Sequence, residues 1–92
     1  MSEPAFVRSP NALSRSVDGE ILLAAVDREH VDRLSPSAGA VWALLDKPRT
    51  VSALVDDLSA VFDVTQGRIA RDVEALLSDL VSRGWVEVVA GG

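Results

Sequence analysis

The sequence predicts an α+β domain in which a small antiparallel sheet precedes three helices and a short strand closes the chain. Three observations carry this prediction. Strand-like runs flank an Asp18-Gly19 dipeptide on both sides, the arrangement of a two-residue hairpin. From position 35 onward, apolar residues recur at helical spacing in three successive blocks, each opened by a capping residue. After Arg83-Gly84 the run Trp85-Val86-Glu87-Val88-Val89 returns to strand character.

The hairpin arms span 13–17 and 20–26. The second arm is apolar without a break from 21 to 26, as expected of a strand covered on both faces or central in a small sheet. A polar turn at 27–29 leads to a third strand over 30–34. There Val31 and Arg33 share one face while His30, Asp32 and Leu34 share the other. Such poor alternation beside an apolar neighbour predicts the edge of the sheet.

Ser35 followed by Pro36 makes an N-cap with proline in the first helical position. Ala38, Val41, Trp42 and Leu45 then form an apolar stripe in a helix lasting to Asp46. Lys47-Pro48-Arg49 breaks it, and Thr50 caps a second helix carrying Val51, Leu54, Val55, Leu58 and Phe62. A turn at 63–65 ends in Thr65, the cap of the longest helix, whose stripe is Ile69, Val73, Leu76, Leu77 and Leu80. Arg83-Gly84 supplies its C-terminal stop. Three such helices must pack on one another and on the sheet. Helix, helix and short strand in this order is also the plan of winged helix-turn-helix domains. The chain is expected to be one domain over 1–92 with its core at about 13–89, and loose at 1–4 and 90–92.

Composition removes several function classes. The 92 residues contain no cysteine and no tyrosine, and a single histidine. Disulfides, thiolate metal sites and cysteine nucleophiles are therefore excluded. The net charge is −5, and Lys47 is the only lysine beside eight arginines. Charge is spread evenly, with no basic tail or acidic arm. A polyanion-binding surface is not expected: the third helix carries Arg68, Arg71 and Arg83, but Asp72, Glu74 and Asp79 on the same helix would oppose phosphate. The N-terminus lacks a secretory signal, and no apolar run approaches the roughly 20 residues of a bilayer span. A soluble cytoplasmic protein is expected.

Catalytic patterns are absent too. His30 has no serine elbow near it, no metal-ligand spacing surrounds it, and no glycine-rich phosphate loop exists. Asp56 and Asp57 point about 100° apart on a helix and suit a solvated face. No enzyme, cofactor or metal is expected. Trp42 falls in an apolar stripe and is expected in the core; Trp85 is expected to be buried against the last helix. An acyl carrier would need Asp-Ser-Leu at a helix start, whereas Asp57-Leu58-Ser59 lies inside a helix in another order.

Some of these residues form a pattern. The run 19–26, then Leu34-Ser35 before Ala38, Val41-Trp42 and Leu44-Leu45, resembles the strand and first-helix core of PqqD-like proteins. Pro48-Arg49-Thr50-Val51 with Leu54 and Leu58 resembles their turn into the second helix. Asp72-Val73, Leu76-Leu77, Leu80 and Arg83-Gly84-Trp85-Val86 resemble their third helix and closing strand. The likeness covers roughly 13–89. One departure is Ser35 where the family often has Asn, a change compatible with an N-cap.

The resemblance implies a recognition element for ribosomally made, post-translationally modified peptides, similar to the stand-alone leader-binding protein of lasso-peptide pathways. It implies three partners: a precursor leader peptide, a cysteine-dependent leader peptidase and an ATP-dependent cyclase, with no nucleic acid or membrane. The implied mode is strand addition in a groove between the third strand and third helix, which an unpaired edge physically permits. The residues assigned to it are His30, Val31, Asp32, Arg33 and Leu34 on the strand, and Arg68, Asp72, Ala75, Leu76 and Asp79 on the helix. Arg68 and Asp72 are equally spaced for an ordinary i, i+4 ion pair. A monomer is expected, although an open edge also permits swapped dimers. A winged-helix DNA-binding or protein-docking module, and an acyl-carrier-like protein, are the alternatives.

Overall fold

In the computed structural model, which describes residues 3–25 and 31–89, Asp18 and Gly19 both take positive φ, 51° and 82°. That backbone makes a type I′ turn, whose twist matches the strands it joins. The hairpin it closes comprises β2 (Ala12–Val17) and β3 (Glu20–Ala25), numbered after an earlier strand β1 (Ala5–Arg8). β4 (Asp32–Leu34) pairs with the other side of β3, so the apolar strand is central in a β2-β3-β4 antiparallel sheet. Three helices follow, α1 (Pro36–Leu44), α2 (Val51–Ser59) and α3 (Gln66–Ser82), with a two-residue strand β5 (Arg49–Thr50) between the first two. β6 (Val86–Val89) closes the chain.

The α+β plan of a three-stranded sheet, three helices and a closing strand is thus observed, with two corrections to the strand inventory. The third strand starts at Asp32, not at 30; Val31 lies just before it, and His30 is outside the described residues. The sequence reading also lacked β1 and β5. These two form a second antiparallel sheet with β6, in the order β5-β1-β6. Ala5 lies opposite Val89 and Arg8 opposite Val86, while Ala5 and Phe6 face Thr50 and Arg49 on the other side. Glu3, expected to be loose, is tied down: the Ser52 hydroxyl lies 2.8 and 2.9 Å from its two carboxylate oxygens.

The helix ends follow the caps. Ser35 Oγ accepts the Ala38 N–H at 3.3 Å and Thr50 Oγ1 accepts the Ala53 N–H at 3.2 Å, while Thr65 makes no such side-chain bond. α1 stops at Leu44, short of Asp46, and α2 at Ser59, which leaves Phe62 beyond the helix and partly exposed. α3 ends in a Schellman motif: the Gly84 N–H bonds to the Val81 carbonyl and the Trp85 N–H to the Leu80 carbonyl. Gly84 takes a φ of +82° to do so. The motif's apolar contact follows, with Leu80 and Trp85 both in the core.

That core lies between the helices and the inner faces of the sheets. Trp42, Trp85, Leu23, Leu45, Leu54, Leu77 and Leu80 are fully buried. β1 reaches it through Phe6 and through Arg8, whose guanidinium lies 5.0 Å from the centre of the Trp42 ring while its Nε donates to the Trp42 carbonyl at 3.0 Å. α1 rests on β3 where Gly39 meets Ile21; a Cβ at Gly39 would stand 2.9 Å from Ile21 Cγ1.

Gly39→Ala would stabilise an isolated helix by about 1 kcal/mol. Here it is expected to lower the urea midpoint, because α1 and β3 must part to admit the methyl group. Ile21→Ala removes the opposing atom, so the double variant is expected to be more stable than the sum of the single losses predicts.

Candidate functional site

The site begins with an edge. β4 pairs with β3 through Leu34, Arg33 and Asp32, opposite Ile21, Leu22 and Leu23. Its outer side has no strand partner among the described residues. β6, which follows α3 directly, is paired with β1. An edge of this kind leaves backbone donors and acceptors open to an incoming chain.

Three residues give a strand little grip of its own, and side chains fix both ends. Asp32 Oδ2 accepts the Trp85 Nε1–H at 2.5 Å, and Oδ1 lies 3.5 Å from the Arg83 guanidinium. Arg83 Nε also donates to Asp79 Oδ1 at 3.1 Å. The hydrogen bond that Arg83 donates to Asp79, then the negative charges of Asp79 and Asp32, raise the Arg83 pKa above its ordinary value. β4 is thereby tied to the C-terminal end of α3 and to the residue that the Schellman motif positions. At the other end Leu34 is buried in the core, and Ser35 caps α1.

Asp32 and Leu34, assigned from sequence to guest contact, hold the strand through their side chains. Arg33 points to the opposite side of the sheet, is largely exposed, and lies 3.8 Å from Glu20. A surface pair of that kind contributes at most about 1 kcal/mol. Val31 is exposed beside the start of the strand.

A cleft of about 510 Å³ runs on from the end of β4, between α1 and α3. Val41, Leu58, Ile69 and Val73 are its buried lining, and Phe62 and Val64 from the α2–α3 connection are exposed at it. Ser35 and Ser37 contribute on the α1 side. From α3 come Arg68, Asp72 and Leu76. Ala75 and Asp79 share the exposed strip with Arg68 and Asp72 but do not line the cleft, and Asp79 is engaged by Arg83. The cleft thus takes three of the five helix residues, Arg68, Asp72 and Leu76, and none of the β4 residues, beginning instead at Ser35, the residue after the strand. Sequence reasoning missed the contribution of α1 and of the α2–α3 connection. A signal was present in the latter, where Val61, Phe62 and Val64 surround Asp63 in a turn that would ordinarily be polar.

The chemistry on offer is recognition: an open backbone edge, an apolar trough and two charged side chains. No helix among the described residues is long and apolar enough to cross a membrane.

Removing the Asp32 carboxylate deletes a hydrogen bond from the buried Trp85 indole to a charged group, a loss of about 1.5–3 kcal/mol. Asp32→Ala is expected to lower unfolding stability by that amount, and Asp32→Asn by less, since its amide oxygen still accepts. In both variants the indole N–H resonance of Trp85 should move while that of Trp42 stays.

Comparisons with known proteins bear on the family and the fold. The family model described as coenzyme PQQ synthesis protein D (PqqD) matches residues 20–86. The PqqA binding protein of Stutzerimonas stutzeri (strain A1501) is 40% identical over 60 residues, covering 65% of this chain. The match spans 64% of that relative, slightly less than two thirds of its length. Among solved structures, TbiB1 in complex with the TbiA(beta) leader peptide superposes with a TM-score of 0.80. The superposition covers 88% of this chain and 94% of that one at 22% identity, a likeness of fold.

Proposed function

The chain belongs to the PqqD family, and from that premise we propose that it is a non-catalytic cytoplasmic adaptor for the leader segment of a ribosomally made precursor peptide. The leader adds as a strand to the outer edge of β4 and lays side chains into the cleft along α3. The single observation that carries this reading is the unpaired β4 margin with an apolar cleft beginning at Ser35, the residue that follows it. Each backbone hydrogen bond to the guest nets roughly 0.5–1.5 kcal/mol. A three-residue margin therefore supplies modest affinity, and the cleft supplies the rest. Relatives named as binding PqqA, or solved with a TbiA(beta) leader peptide, support a peptide as the occupant.

The wider role in this proposal is lasso-type maturation: the bound leader is presented to a leader peptidase, and the core segment to an ATP-dependent cyclase. The contacts extend from Val31 to Leu34 on one side and over Arg68, Asp72 and Leu76 on the other, with Ala75 at their border. His30, just ahead of the margin, belongs to the same proposal, and residues 13–89 act as one peptide-recognition domain. DNA is the weaker reading. Of the three arginines on or next to α3, Arg83 is committed to Asp79 and Asp32, and Arg68 and Arg71 stand beside Asp72 and Glu74.

Strand addition is testable by amide hydrogen exchange with synthetic PqqA and the TbiA(beta) leader as probes. A bound probe is expected to slow exchange at 31–34 at least tenfold. Binding with no added protection there would refute the mechanism. Val31→Pro is expected to weaken probe binding at least tenfold with an unchanged circular dichroism spectrum, since a strand margin tolerates proline in the fold but cannot then donate from that position.

A further inference from the structure

Arg68 and Asp72 face the cleft one helical turn apart. The spacing suits an i, i+4 ion pair, yet neither side chain makes an ion pair or a side-chain hydrogen bond among the described residues. The ion pairs there are Arg33–Glu20, Arg49–Asp57, Arg83–Asp32 and Arg83–Asp79. The next turn contributes Leu76, half-buried and apolar. The α3 wall therefore presents a positive, a negative and an apolar group in succession, the two charges available to a guest.

The spacing matches an extended chain. Four residues of helix advance about 6 Å, and two residues of strand about 6.6 Å. A strand lying along α3 thus brings alternate side chains, those on its helix-facing side, opposite successive turns. We infer that the guest preferred by this protein carries an acidic and a basic residue two positions apart, the acid meeting Arg68 and the base meeting Asp72. This inference rests on the peptide-binding reading above and adds the side-chain chemistry that selects among peptides. The apolar lining from Ile69 and Val73 contributes affinity without distinguishing charge. Charge pairs at a partly exposed wall supply discrimination of about fivefold each. Their order along the guest follows from the direction in which it runs.

Panning a phage-displayed library of random 15-residue peptides against the full chain tests this. Peptides enriched on the native protein are expected to carry an acid and a base two residues apart, in one order, well above their frequency in the input library. On the Arg68→Asp, Asp72→Arg double variant the enriched order is expected to reverse. A synthetic peptide from either selection should bind the other protein at least fivefold more weakly. Both side chains are exposed, so the fold should tolerate the exchange; circular dichroism checks this. The neutral Arg68→Gln, Asp72→Asn variant should select peptides with no charge pattern. Enrichment with the same pattern on all three proteins, or with none on the native chain, would overturn the inference and leave peptide binding standing. No enrichment on the native chain would overturn peptide binding itself.

Discussion

A three-residue strand must be held from outside itself, and the site depends on how β4 is held. One end is fixed by the Asp32 carboxylate, shared between the Trp85 indole and the Arg83 guanidinium. The other is fixed by Leu34 in the core and by the Ser35 cap that starts α1. The anchor at Trp85 in turn depends on the end of α3, where the Schellman bonds set the direction of the departing chain. An edge also stays open to a guest only while no strand of the molecule itself pairs with it. β6 is held by β1, so the first strand of the chain contributes to the site without touching it.

The elements visible in the sequence are those written in local contacts. Asp18-Gly19 specifies its own turn, Ser35-Pro36 and Thr50 specify helix starts, and Arg83-Gly84 specifies a stop. Each works through bonds between residues a few positions apart, and each is present in the fold. β1 was illegible for the opposite reason. Its four residues, bounded by Pro4 and Pro10, acquire strand geometry from β6, some eighty positions away. β5 is two residues long and depends on β1, more than forty positions away. The edge character of β4 was legible from its poor alternation, although its first residue was not.

The site divides along the same line. A helical strip of Arg68, Asp72, Ala75 and Asp79 follows from periodicity alone, but which members face the cleft depends on how α1 and the α2–α3 connection pack. The i, i+4 rule allowed Arg68 and Asp72 to pair with each other; the structure leaves both turned to the cleft. The sequence assigns Asp32 to guest contact only as a member of the 30–34 edge. Its acceptors are used by Trp85 and Arg83, more than fifty positions away. Pattern identifies a face, and tertiary pairing decides what on that face remains available.

The pairing of Ala5 with Val89 has a consequence for architecture at a larger scale. Directly opposed residues of an antiparallel ladder lie about 5 Å apart, so the fold takes in its backbone and releases it at neighbouring points. Both points belong to β5-β1-β6, whereas β4 belongs to the other sheet. A unit with this geometry can be spliced into a loop of a bigger polypeptide with little distortion of the host. Tethering of that sort would turn a bimolecular hand-over into an intramolecular one, governed by linker length and effective concentration.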